Sequence, residues 1–183
     1  DVQWTDTVLE DRLAFSAAHL DLQILDAPEQ HDPERGTAAL ATYTTLNDVA
    51  APALGIAGGE IEVQAELTGL PDDIRNFGAP DATKVWQAAG GQLRLVSFKG
   101  TAGEEFIESD GTLALDSGFR LDGQVNLRSK GVVERVGPLL PEEWRGLILG
   151  GQAADGSYSQ TVTIKAGVVF SGLIPISVIP PLF

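Results

Sequence analysis

Two histidines and a few clusters of carboxylates are the residues of this chain whose types and spacing suggest chemistry. His19 stands two positions before Asp21, so on a strand both side chains leave the same face. A carboxylate beside an imidazole can hold its tautomer and ready it as a general base. A solvent-facing polar pair explains the spacing equally well, and no nucleophile elbow lies near it. The segment 26–34 gathers Asp26, Glu29, Asp32, Glu34 and His31. Oxygen ligands at that density suit a hard cation such as calcium. The segment lacks the alternating ligands, central glycine and closing glutamate of an EF-hand loop, and Pro28 and Pro33 mark it as a solvated loop. Glu104, Glu105, Glu108 and Asp110 form another acidic stretch, and Asp72 with Asp73 a third. Paired acids across a cleft would suit glycoside hydrolysis, but no aromatic platform accompanies these. Alternation puts Glu104 and Glu108 on one face with Phe106, and Glu105 on the other with Ile107. That mixture fits an outer strand whose charges discourage sheet-to-sheet association. These patterns assign no catalytic residue, no metal ligand and no cofactor, and they leave ligand-binding residues open.

Composition narrows the chemistry further. With no cysteine among 183 residues, disulfides, zinc-thiolate sites, iron–sulfur clusters and thiol nucleophiles are excluded. Methionine is absent too, so Asp1 is expected to follow a cleaved targeting segment or to begin an excised piece of a longer protein. No apolar run reaches the length of a membrane-spanning helix. The most apolar stretch, 167–183, carries Pro175, Pro180 and Pro181, which make it a poor helix. A formal charge of −14 repels phosphate backbones, so nucleic acid is not an expected partner, and the charge itself serves solubility. The many glycines form neither a dinucleotide-binding fingerprint nor a phosphate loop.

The elements that must position these residues read mainly as strands. Four segments repeat a glycine followed by alternating apolar positions: 59–63, 91–95, 111–115 and 123–127. Ile61 with Val63, Leu93 with Leu95, Leu113 with Leu115 and Val125 with Leu127 would then share one apolar face. Turn residues precede them at Ala57-Gly58-Gly59, Gly90-Gly91, Asp110-Gly111 and Asp122-Gly123. Their short spacing predicts adjacent antiparallel strands, because a parallel crossover needs a much longer connection. Further strands are expected at 12–25, 38–46, 104–109, 157–165 and 167–171. A short helix is expected from Asp81 as its cap through Ala89, stopped by Gly90-Gly91. A second is expected over 141–149, where Trp144, Leu147 and Ile148 continue an apolar face after Pro141. Trp4, Trp86 and Trp144 read as anchors of a core or an interface. The fold class is therefore mainly β (α+β): a curved antiparallel meander sheet with one or two short packing helices, as a single domain over 1–183.

One ordered set of segments carries a family resemblance. It comprises Trp86-Gln-Ala-Ala-Gly-Gly-Gln-Leu93, Asp110-Gly-Thr-Leu-Ala-Leu-Asp116 and Leu121-Asp-Gly-Gln-Val-Asn-Leu-Arg128. Ile164-Lys-Ala-Gly-Val-Val-Phe-Ser-Gly-Leu-Ile-Pro175 follows, and Pro180-Pro-Leu-Phe183 ends the chain. Residues 55–183 resemble an uncharacterised family of alphaproteobacterial periplasmic proteins, a domain of unknown function distantly similar to AsmA-like proteins. Usual members of that family have Asp-Gly where this chain has Ala166-Gly167. The resemblance implies an exported protein, with this chain as the C-terminal part of a longer secreted or membrane-anchored one. It brings no catalytic residues. AsmA-like proteins are associated with outer-membrane biogenesis and lipid traffic along curved sheets with an apolar inner face.

The expected function is a non-enzymatic periplasmic envelope domain, its partners a lipid or other apolar ligand on the sheet. The alternative is a structural or partner-binding module of a larger envelope protein. The two differ in one physical respect. Either the apolar face is a core packed under the 141–149 helix, or it is a groove. A packed core is expected at most of Leu93, Leu95, Leu113, Leu115, Val125 and Leu127, with any groove at the edge near 174–183.

Overall fold

A computed structural model describes residues 7–9, 13–52, 55–73, 75, 79–132 and 150–181 of the chain. Strands dominate them. β1 (Thr7–Leu9) and β2 (Leu13–Phe15) form a small antiparallel pair. The remaining strands are β3 (His19–Asp26), β4 (Thr37–Ala51), β5 (Ile56–Pro71), β6 (Gln92–Ala102), β7 (Glu105–Leu115), β8 (Leu121–Lys130), β9 (Gly151–Gln152), β10 (Tyr158–Lys165), β11 (Val168–Ser171) and β12 (Ile174–Val178). They make one ten-stranded sheet in the order β12-β11-β10-β8-β7-β6-β5-β4-β3, with β9 paired to β10. Every pairing is antiparallel, and the sheet does not close on itself. The expected meander β5-β6-β7-β8 is present as written.

Period-two alternation decides what each face carries. In an antiparallel ladder, paired residues project to the same side. Following the registers across the sheet puts Leu20, Leu22 and Ile24 of β3 beside Leu46, Thr44 and Thr42 of β4. The same face continues through Ile61, Val63, Ala65 and Leu67 of β5, then Leu93, Leu95 and Phe98 of β6. It goes on through Ile107, Leu113 and Leu115 of β7, Leu121, Val125 and Leu127 of β8, and Val162 and Ile164 of β10. The opposite face carries Glu62, Glu66, Arg94, Lys99, Glu108, Asp110, Asn126 and Arg128.

Several boundaries differ from the sequence expectation, each for a local reason. Stretches 104–109 and 111–116 are one strand, β7, because Asp110-Gly111 runs straight through the ladder opposite Asn126 and Val125. Gly123 likewise lies inside β8, and Gly58-Gly59 inside β5. Close backbone approach explains two of these glycines. A Cβ on Gly111 would strike the Gln124 carbonyl oxygen and come within 2.8 Å of Val125 Cα. One on Gly123 would strike the Thr112 carbonyl oxygen. Both stand on the apolar face of the ladder. The expected strand 12–25 breaks around Ser16, which pairs instead with Ala50. Its partner β4 shifts register between Leu46 and Val49, where Asp48 is left-handed (φ 54°), so a straight neighbour cannot follow it. β12 was hidden from the sequence by its proline. Pro175 lacks an N–H, and it is accommodated on the outermost strand next to a register shift.

Helix α1 (Ala82–Ala88) matches the first helix expected, although the Asp81 side chain at its N-cap makes no capping bond. It ends at Gly90, where φ is 73°. Trp86 anchors it. Its indole N–H donates to the Thr68 carbonyl at 2.7 Å, and its ring lies directly where a Cβ of Gly91 would stand. The second expected helix, 141–149, lies outside the described residues, as do Trp4 and Trp144.

Two glycine substitutions test the close approach of β7 and β8. Gly111→Val should cost about 3 kcal/mol in chemical denaturation, through overpacking against fixed backbone. Gly151→Ala, where nothing lies within 4 Å of the new methyl, should change stability by less than about 0.5 kcal/mol.

Candidate functional site

The carboxylate clusters do not assemble into one centre. Asp26, at the end of β3, lies 2.8 Å from His31 Nε2. Asp32 pairs with Arg35 at 3.4 Å, and Asp73 with Arg75 at 2.6 Å. The Arg75 guanidinium, donating to Asp73, holds that carboxyl below the usual range. Among the described residues, no three histidines or carboxylates gather as metal ligands would. His19 and Asp21 share the polar face of β3 as expected, both exposed on the last strand of the sheet. Glu104 stands in the β6–β7 hairpin turn, so it does not extend the face of Glu108 and Phe106. Glu108 reaches Arg128 at 3.3 Å, Asp110 accepts from Asn126 at 2.9 Å, and Arg128 lies 4.9 Å from the Phe106 ring centroid. These groups form a polar ladder across β7 and β8, with a further pair, Arg94 with Glu66, on β6 and β5.

The acid with the largest shift also belongs to structure. Asp155 accepts from the Ser157 hydroxyl at 2.6 Å, from the Ser157 backbone N–H at 2.9 Å and from Arg128 at 3.0 Å. The Ser157 hydroxyl contributes most to pulling its pKa down to about 2. This carboxylate ties the β9–β10 turn to β8. Because the folded pKa is depressed, its stabilisation is complete above the ordinary value of 3.8 and is lost as pH falls through about 2. Carboxyl-carbon NMR should therefore place the Asp155 midpoint near 2 in the parent and closer to 3.8 in Ser157→Ala.

The apolar face is the remaining candidate, and it is not an ordinary core. Leu115 is buried among the six inward positions of the meander, whereas Leu93 is 38% exposed and the other four are half-buried. At β3 the face is open, with Leu22 and Ile24 at 53% and 61% exposure. Beyond α1, the described residues supply no second layer over it. Two hollows mark the face at opposite ends of the strands. One, of about 320 Å³, lies beneath Thr83 and Trp86 of α1 and is floored by Leu67, Leu93, Leu113 and Leu121. That size falls in the range of small-ligand sites. The other, of about 110 Å³, is lined by Val49, Ile61, Phe98, Ile107 and Val132. Val63, Leu95 and Gly111 lie between the two. Both hollows sit in mid-sheet, not at the 174–183 edge where the sequence reading had put a groove. There, Ile174 and Val178 are simply exposed.

The alternation made this face legible, since β3, β5, β6 and β8 repeat apolar residues at alternate positions along it. The hollows were not legible, because they arise from where α1 docks and where the sheet bends. No curated protein and no solved structure matches the chain. A family model does match, over residues 2–180, and the chain belongs to that family, the uncharacterized proteins conserved in bacteria of DUF2125.

Proposed function

We propose that this chain is a non-enzymatic domain of the bacterial envelope, exported to the periplasm, that holds a lipid or another apolar ligand along its curved sheet. The observation that carries the reading is the apolar face itself. It runs from β3 to β10, with large aliphatic side chains half-exposed along it and two hollows in mid-sheet, one toward each end of the strands. Soluble proteins seldom leave contiguous apolar surface of this extent without a use for it. The resemblance to AsmA-like proteins, with their lipid-handling sheets, points the same way. Chemistry is not part of the proposal, because the candidate acids and histidines do not converge on one site: Asp26 meets His31, Asp32 meets Arg35, Asp73 meets Arg75 and Glu108 meets Arg128.

Leu113→Ala separates a groove from a packed core. A packed leucine would cost about 2–5 kcal/mol on truncation, through lost transfer energy and a cavity. In the groove the cost should be about 1 kcal/mol or less, while displacement of a fluorescent fatty acid changes. A large stability loss, with no probe binding by the parent protein, would remove the ligand-binding reading.

A second reading, a structural or partner-binding module of a larger envelope protein, is favoured by β3. That last strand exposes Leu22, Ile24 and Leu25 beside a backbone edge with no neighbour among the described residues, a surface suited to strand addition. On that reading Ile24→Lys abolishes association with the partner and leaves the fatty-acid probe unaffected.

A further inference from the structure

The apolar face is not uniform along its strands. In β5, β6, β7, β8 and β10 the registers put five polar side chains on it: Glu105, Ser109, Ser129, Tyr158 and Gln160. All five lie on one side of the row formed by Ala65, Leu95, Gly111, Val125 and Val162, toward the end where β7 begins. On the other side of that row stands α1, and there the same strands present Leu67, Leu93, Leu113, Leu115, Leu121 and Ile164. The hollow beneath α1 is the least polar part of the face. Thr83 and Trp86 hold the only polar side-chain groups in its lining, and the Trp86 indole N–H is already given to the Thr68 carbonyl. A headgroup seated there would give up its water with almost nothing to replace it, whereas hydrocarbon would gain.

From this gradient we propose that the sheet binds an amphiphile with a linear hydrocarbon chain of membrane-lipid length. The chain lies along the strands, its methyl end beneath α1 and its polar head toward Ser129 and Tyr158. The inference rests on the ligand-binding reading above and adds to it the direction and length of the ligand. Leu113 and Ile107, one at each hollow, stand six positions apart on β7, roughly 20 Å at about 3.4 Å per residue. One acyl chain of a bilayer covers about half of a hydrocarbon core of about 30 Å. Such a chain reaches from α1 past the middle row without leaving the apolar side chains, and it brings its head among the polar ones. A much shorter chain would either strand its head over leucines or draw its tail out from under α1. Ala65 and Gly111 are the smallest residues of the middle row, so the strip is lowest where the chain must cross.

Direction is tested by fluorescence, with Trp86 kept as the sole tryptophan through Trp4→Phe and Trp144→Phe. Palmitate brominated at its methyl end should quench Trp86 at least threefold more strongly than palmitate brominated beside its carboxylate. Equal quenching, or stronger quenching from the carboxylate end, overturns the proposed direction and leaves ligand binding standing. Length is tested by calorimetry. Each methylene laid on the strip tightens binding about fourfold, so palmitate should bind the parent protein at least a hundredfold more tightly than octanoate. A ratio below tenfold overturns the length. Ala65→Phe raises the middle row, and should weaken palmitate at least tenfold while changing octanoate, seated beneath α1, less than twofold. Undiminished palmitate binding, or equal weakening of both acids in a variant whose circular dichroism matches the parent, overturns the placement. If neither acid binds the parent protein, the ligand-binding reading itself fails. The ratio of the two acids is read on the parent, so it decides the matter even if the variants fold poorly.

Discussion

Register is the constraint on which the rest of this structure depends. Among the described residues only α1 packs over the apolar face, so each strand is held mainly by its neighbour's hydrogen bonds and by the alternation of its own residues. A slip of one position would turn Leu93, Leu95 and Phe98 outward and bring Arg94 and Lys99 onto the apolar side. The register shifts in β4, β5 and β6 work with this constraint. Each inserts a residue where the sheet bends, and on either side of it the apolar set returns to the same face. Curvature and face segregation are thus two results of one pattern.

The side chains that look most like chemistry serve that scaffold. Asp155 gathers a turn onto β8, Asp116 accepts from the backbone and guanidinium of Arg120 between β7 and β8, and Asp73 clasps Arg75 after β5. Exposed pairs of this kind contribute little energy individually. Their value is directional, because each fixes where the chain reverses and so which residue begins the next strand. Trp86 does the equivalent work for α1, fixing the helix over one end of the apolar strip through a single indole bond and contact with Gly91.

Much of this was legible in the sequence, and most of the failures turn on what a neighbouring strand does. Alternation at Ile61/Val63, Leu93/Leu95, Leu113/Leu115 and Val125/Leu127 located four central strands and their common face, because period two is a local property. Asp110-Gly111 misled because the pair is turn chemistry in isolation, and what retains the glycine is a neighbouring strand too close for a side chain. Ala166-Gly167 was read correctly as a turn. Ala166 accepts a left-handed φ of 50° there, a conformation that Asn or Asp tolerates better. The break at Ser16 was missed because it is decided by Ala50, far along the chain, and β12 because Pro175 disguises a strand at the sheet's edge. For the candidate site the same division holds: composition of the face was readable, while its hollows depend on docking and bend.

Nearly every strand of the sheet pairs with the strand before or after it in the chain, and this order has a consequence for how the protein folds. Hairpins such as β6–β7, β10–β11 and β11–β12 close over two-residue turns, and such units form within about 1–10 μs. Each finished hairpin presents an edge on which the next strand condenses, so the sheet can grow outward without searching for distant segments. The pairing of β8 with β10 is the exception, since it joins segments on either side of residues 131–157. Closing that long loop is the step with the largest entropic cost along the β3-to-β12 path. The molecule therefore divides kinetically into a six-strand run, β3 to β8, and a short C-terminal run, β10 to β12, whose meeting completes the sheet.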